Sequence, residues 1–158
     1  MTRRCTAALL CLVIGLPVQA DFQSGMAAYK RGDFEEALRQ WRPLAEEGRV
    51  EAQFNLGLLY YHGKGVAADP AEAHAWYLKA AEGGYARAQY RVAETYENGD
   101  GVRKDLIRAH FWFRIAGSQK YADAKKRRRQ VAKRMTPEQI AYAEMLVRHR
   151  KRDRKAKD

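Results

Sequence analysis

Cysteine is nearly absent. The 158 residues contain two, Cys5 and Cys11, both close to the N-terminus. Two thiols are too few for a disulfide-stapled scaffold or a cysteine-built zinc cluster. Proline is scarce at four residues, and with 46% hydrophobic and 31% charged residues the composition argues against collagen-like order and wholesale disorder. Apolar runs are short, none reaching the roughly 20 residues that span a bilayer. After residue 20 the serines are Ser24 and Ser118, neither in a nucleophile-elbow context. Acidic charge is also in deficit, with 19 Asp and Glu against 30 Lys and Arg, a formal +11. A chain this short has room for one domain or one short repeat array.

The first 20 residues have the form of a secretory signal. Arg3 and Arg4 precede an apolar run from Ala7 to Leu16, followed by Pro17 and Val18-Gln19-Ala20, a small-x-small exit. Cleavage is expected after Ala20. Leu10 before Cys11 does not suit a lipoprotein signal, which places a small residue there. The mature chain would then lack cysteine, and with it disulfides, thiol redox chemistry and a cysteine nucleophile. The segment has a bacterial look, so the expected location is periplasmic or extracellular.

Beyond residue 50 the chain repeats itself at a shift of 36 residues. Ala52-Gln53 returns as Ala88-Gln89, Tyr60 as Tyr96, and Gly63-x-Gly65-Val66 as Gly99-x-Gly101-Val102. Asp69 returns as Asp105, and Ala73-His74-x-Trp76 as Ala109-His110-x-Trp112. Each unit reads as two helices. Leu56, Gly57 and Tyr60 share a face of the first, with Gly57 permitting close approach. Gly63 and Gly65 end that helix, and Asp69-Pro70-Ala71-Glu72 opens the second as a capping box. Ala73, Trp76, Tyr77 and Ala80 form its buried stripe.

The pattern A-Q-x-N-L-G-x-x-Y-x-x-G-x-G-V-x-x-D, then A-x-x-W-Y-x-x-A-A-x-x-G, resembles the Sel1-like repeat family, relatives of the tetratricopeptide repeat. Residues 51–86 fit almost completely. Residues 87–119 depart at Arg91, Ala93 and Gly117. Upstream, 22–50 resembles a shortened unit, with its turn at Gly32-Asp33-Phe34 and a stripe of Ala37, Trp41, Leu44 and Ala45. The resemblance implies an all-α solenoid of about three stacked helix pairs whose members act mostly as protein-interaction scaffolds, and it supplies no catalytic residue or cofactor. By analogy with tetratricopeptide arrays, first-helix positions line the concave side. The candidate partner-binding residues are therefore Phe54, Leu58, Tyr61, Tyr90, Glu94 and Glu97, the aromatics among them expected to be exposed anchors.

Residues 120–150 read as a terminal capping helix pair, with Tyr121, Ala124 and Val131 on one side of its first helix. Thr136 to Gln139 forms a second capping box, and Ile140, Ala143, Leu146 and Val147 lie at helical spacing after it. Residues 151–158 lack apolar side chains apart from Ala156 and are expected to form a flexible tail. Charge is segregated: 13 basic and 14 acidic residues over 21–119, then 15 and five over 120–158, a net of +10. Lys126, Arg127, Arg128, Arg129, Lys133 and Arg134 are candidates for an anionic surface such as lipid headgroups, lipopolysaccharide or polysaccharide, unless they are simply a solvated face. Nucleic acid fits the charge, but the export signal and the lack of aromatics interleaved with the basic residues of each cluster argue against it.

His74 and His110 hold equivalent places, yet no third ligand recurs with them, so they read as structural rather than as a metal site. Gly63-Lys64-Gly65 comes after a helix and lacks phosphate-loop spacing, and reads as a turn. Glu94, Glu97 and Asp100 read as a solvated or partner-facing strip rather than an acid–base group. The leading expectation is a non-catalytic adaptor that binds a protein or peptide in its groove. An envelope-surface binder using the basic end is the alternative, and a hydrolase a distant third.

Overall fold

A computed structural model of the chain describes residues 20–121 and 123–156. Both cysteines and almost all of the expected signal lie outside the described residues. Among those described there are eight helices and no strand: α1 (Phe22–Arg31), α2 (Phe34–Glu46), α3 (Val50–His62), α4 (Pro70–Glu82), α5 (Ala86–Asn98), α6 (Leu106–Ser118), α7 (Ala124–Ala132) and α8 (Pro137–Lys155). Each helix packs on the next from α1 to α7, and α8 returns to α6. This is an α-solenoid. No described helix is long and apolar enough to cross a membrane.

The second helices start in the same way. Asp33, Asp69 and Asp105, spaced 36 apart, each accept from backbone N–H groups of the first turn: Glu36 at 3.1 Å, Ala71 and Glu72 at 3.0 Å, and Arg108 at 2.9 Å. The box expected at Asp69 is half formed, because the Glu72 carboxylate accepts instead from Trp76 Nε1 at 2.8 Å. The box at Thr136 is reciprocal: Thr136 N donates to Gln139 Oε1 at 2.9 Å, and Gln139 N donates to Thr136 Oγ1 at 3.2 Å.

Three devices fix one unit on the next, and each recurs along the array. The period is 36 residues except at the first wedge, Phe22, which stands 32 residues before Phe54 in the shortened first unit. In the first device, an aromatic side chain on the first helix wedges against the second helix and the linker beyond it. Phe22 meets Trp41 and Arg49, Phe54 meets Tyr77 and Tyr85, and Tyr90 meets Phe113 and Tyr121, with ring separations of 5.1–6.1 Å and a cation 4.4 Å above Phe22.

In the second device, the buried amides of Gln53 and Gln89 donate to Ala45 O (3.0 Å) and Ala81 O (3.2 Å), carbonyls at the end of the preceding helix that also accept from the backbone N–H of Gly48 and Gly84. The third uses the second glycine of each G-x-G turn. At φ 68° and 69°, Gly65 and Gly101 lie against the start of the preceding second helix. A Cβ would stand 2.5 Å from the Phe34 carbonyl carbon and 2.1 Å from the Pro70 oxygen. The first glycine ends the helix and the second lets two backbones touch.

The buried stripes of Ala37, Trp41 and Ala45, and of Ala73, Trp76, Tyr77 and Ala80, lie in the core as read, whereas Leu44 is half-buried. At the C-terminal end α7 keeps the period: buried Ala124 stands where Ala52 and Ala88 stand. The array ends because Lys126 takes the place of the wedges Phe54 and Tyr90, leaving no ring to seat another unit. Two expectations are corrected here. The first helix of the cap, α7, begins at Ala124 rather than near residue 120, and α8 runs through Lys155, where a flexible tail from 151 was expected.

Candidate partner-binding groove and basic cap

Side by side, α3 and α5 leave a small open pocket of about 80 Å³ lined by Tyr61, Tyr77, Arg91, Glu94, Thr95, Asn98 and Asp100. Tyr61, at 38%, is one of two large hydrophobic residues that remain exposed among those described. Arg91 donates to Glu94 at 3.0 Å, one helical turn away, and Asn98 Nδ2 donates to Asp100 at 3.1 Å. Tyr77 closes the floor, and burial pushes its phenol well above the ordinary tyrosine range. The rim thus presents one aromatic ring, one cation, two carboxylates and an amide.

The structure redistributes the candidate residues. Tyr61 and Glu94 come together in this pocket, and Leu58 is half-buried against the core. Phe54 is not an exposed anchor: at 3% exposure it is core, held between Tyr77 and Tyr85 with Arg87 over its ring at 5.2 Å. Tyr90 is half-buried in the same wedge one unit on, and its phenol is raised by burial and then by Glu94. Glu97 is not part of a solvated strip. It is 8% exposed and takes Arg127 at 2.7 Å and Arg134 at 2.9 Å on its two oxygens. Arg91, Asn98 and Asp100 belong to the pocket. The departure of Arg91 from the repeat pattern was the visible signal for the first of these.

The same ion pairs split the basic cap in two. Arg127 and Arg134 are engaged by Glu97, and Arg128 pairs with Glu144 of α8 at 2.9 Å, so these three cations tie α5, α7 and α8 together. Lys126, Arg129 and Lys133 are exposed and make no ion pair among the described residues. Further along α8, Arg150 donates to Glu82 O at 3.4 Å and its guanidinium lies 4.9 Å from the Trp112 ring centre.

The two repeat histidines are buried and differ in satisfaction. His74 Nδ1 lies 2.7 Å from Thr95 Oγ1, whose proton is given to Val92 O at 2.8 Å, so the imidazole is the donor. His110 Nδ1 has no partner, since the position equivalent to Thr95 is Val131, which carries no hydroxyl. Burial lowers the pKa of both, with nearby arginines adding to the shift: Arg108 for His74, Arg128 and Arg114 for His110. Among the described residues no group of three or more His, Cys, Asp or Glu could hold a metal ion.

Residues 50–85 and 86–121, which carry the recurrent G-x-G turn, Ala-Gln pair and second-helix tryptophan of this α-solenoid, each match the Sel1 repeat. The α1–α2 pair precedes that match, yet it carries the same capping aspartate and aromatic wedge. Among solved structures the chain is similar to c5321, a protective antigen present in uropathogenic Escherichia coli strains that displays an SLR fold. The TM-score is 0.76 with 32% identity, over 79% of this chain and 28% of that one. A Sel1 repeat protein from Oxalobacter formigenes gives a TM-score of 0.66 with 34% identity, over 68% of this chain and 44% of that one. Chitin synthase regulatory factor 3 of Schizosaccharomyces pombe is 46% identical over 46 residues, 29% of this chain and 5% of that protein. The chain therefore spans less than half the length of each relative.

Proposed function

We propose that this chain is a non-catalytic scaffold of the bacterial envelope, exported with cleavage after Ala20, that binds a segment of another protein along its first helices. Sel1-repeat proteins generally act as protein-interaction scaffolds, which supports the general reading. The observation that carries the specific one is the pocket between α3 and α5. There an exposed Tyr61 stands over a rigid floor, beside side chains that already pair with one another at the rim. A ring held on a helix loses little freedom on binding, and a rim of satisfied polar groups can exchange partners without stranding a charge.

A photo-crosslinking residue placed at Tyr61 in the native envelope is expected to capture a protein, and one placed at Lys30 on the outside of α1 is not. Tyr61→Ala should weaken that partner by roughly tenfold, the effect of truncating an anchoring aromatic, with far-UV helicity intact. Equal capture from both positions would remove the groove from the reading. Intact mass of the envelope-localised protein checks the export step, since a chain beginning at Asp21 is expected and an uncleaved chain in the cytosol would refute it.

A further inference from the structure

We propose that the outward face of α8 from Tyr142 to Arg152, supported by the outer row of α7, is a docking surface for an anionic lipid bilayer, separate from the groove. The ion pairs separate the cap's cations by role. Arg127, Arg128 and Arg134 are held by two buried or half-buried carboxylates, Glu97 and Glu144, so their guanidiniums are committed within the cap. Arg148, Lys151 and Arg152 on α8, and Lys126 and Arg129 on α7 with Lys133 at its C-cap, are exposed and meet no carboxylate among the described residues. Arg152 touches the ring of His149 at 3.3 Å.

Helical spacing places the first three together, at i, i+3 and i+4, and their stems line one shallow depression. They continue from Glu144 along the same side of α8, so the row begins where Arg128 joins α7 to α8. Asp153, the acid nearest in sequence, points elsewhere, into a depression shared with Leu78, Trp112 and Leu146.

One aromatic residue decides between a bilayer and a soluble polyanion. Tyr142, at 52%, is the more exposed of the two exposed large hydrophobic residues among those described. It stands on α8 ahead of the cations, with half-buried Met145 between. A phenol has an apolar body and a polar tip and suits the headgroup boundary, and long cationic stems extend from that depth to lipid phosphates. A polyanion held by charge alone would use the cations and leave Tyr142 idle, and base stacking needs aromatics interleaved with the cations, whereas Tyr142 is a single ring beside apolar Met145.

The test uses the full chain with vesicles of phosphatidylcholine alone or with about a third phosphatidylglycerol, the readout being the difference between the two so that any neutral apolar binding cancels. Binding to the anionic vesicles is expected to be at least about tenfold tighter at low salt and to vanish by ~0.5 M salt, where the screening length falls to a few ångströms. The triple variant Arg148→Gln, Lys151→Gln, Arg152→Gln should lose about tenfold or more, and Tyr142→Ala about threefold. Lys126→Gln, Arg129→Gln, Lys133→Gln provides a second variant on a different helix should the first misfold. Lys30→Gln, Arg31→Gln, Arg103→Gln removes the same charge from exposed sites outside α7 and α8 and should change binding by less than about twofold. Equal losses from the α8 triple and this distant triple would overturn the proposal, as would vesicle binding unaffected by Tyr142→Ala. Retention on heparin without any preference for anionic vesicles would overturn it too.

Discussion

Lys120 shows what the period demands of a single residue. It stands where Gly48 and Gly84 stand in the earlier units, both in the left-handed region, and it alone among the described non-glycine residues has positive φ, at 62°. The side chain is exposed, so nothing in its packing offsets the strain. Lys120→Gly should therefore stabilise the protein, by about 1 kcal/mol before the added chain entropy of glycine is deducted, seen as a rise in Tm. The histidines make a second prediction, and its sign is set by their burial. Each has its pKa held below the usual 6.5, so between that lowered value and 6.5 the unfolded chain binds more protons than the folded one. Stability should be full above about pH 6.5 and fall as pH drops through the window below it. Urea titrations at successive pH values would show this, with the slope reduced in His74→Gln. Val131→Thr should restore to His110 the hydroxyl that His74 has in Thr95. A buried hydroxyl ordinarily costs about 1–3 kcal/mol, and here the cost should be largely offset. If the variant melts as low in a His110→Phe background as in the native one, the two side chains are not partners.

At the scale of the element, the seams carry the stability. Trp112 lies on the buried stripe of α6, and Trp112→Ala should cost about 3–5 kcal/mol, the range for truncating a large core aromatic. Gly101→Ala should be costly for a different reason. It adds a methyl at positive φ, and the atom it strikes is a backbone oxygen that no rotamer change can move. Thermal melts of both variants check these, and a Gly101→Ala that melts like the native chain would dissociate the turn from the seam. Helix boundaries, caps and stripes were legible because each depends on residues close together in the chain or on the repeat itself: Asp69 ahead of its helix, Trp76 four residues from Ala80, Gly57 at the place of Ala93. The groove was legible only in part. Phe54 is buried by Tyr85, a linker residue 31 positions on, and Glu97 by arginines 30 and 37 positions on. First-helix periodicity alone cannot separate a position that faces solvent from one that a later unit covers.

Taken whole, the molecule is a nearly neutral array joined to a strongly basic end, and at the α5–α7 seam of that joint the clasp is the carboxylate of Glu97. Glu97 stands at the position of Tyr61 in the unit before, so a place that is open in one unit becomes a clasp in the next once α7 lies over it. In a stacked array each unit is stabilised mainly by its neighbours, so a defect at the last seam should act there first. Glu97→Gln leaves Arg127 and Arg134 facing a neutral amide. Removing one partner of a fully buried pair costs about 3–5 kcal/mol, and with both arginines partly exposed the cost here should be nearer to about 2 kcal/mol. Hydrogen exchange resolved by segment checks where that energy is lost. Amides of α7 should exchange markedly faster in Glu97→Gln, while those of α3 and α4 keep their protection. The half of α8 that packs on α6 through Ala143 and Val147 should respond less than α7, because its contacts do not pass through Glu97. Loss of protection spread evenly from α1 to α8 would mean that the chain unfolds as one unit and that the basic end is an integral part of the array. No change in α7 would mean that its apolar face, Ala124 and Val131, holds the cap without the clasp.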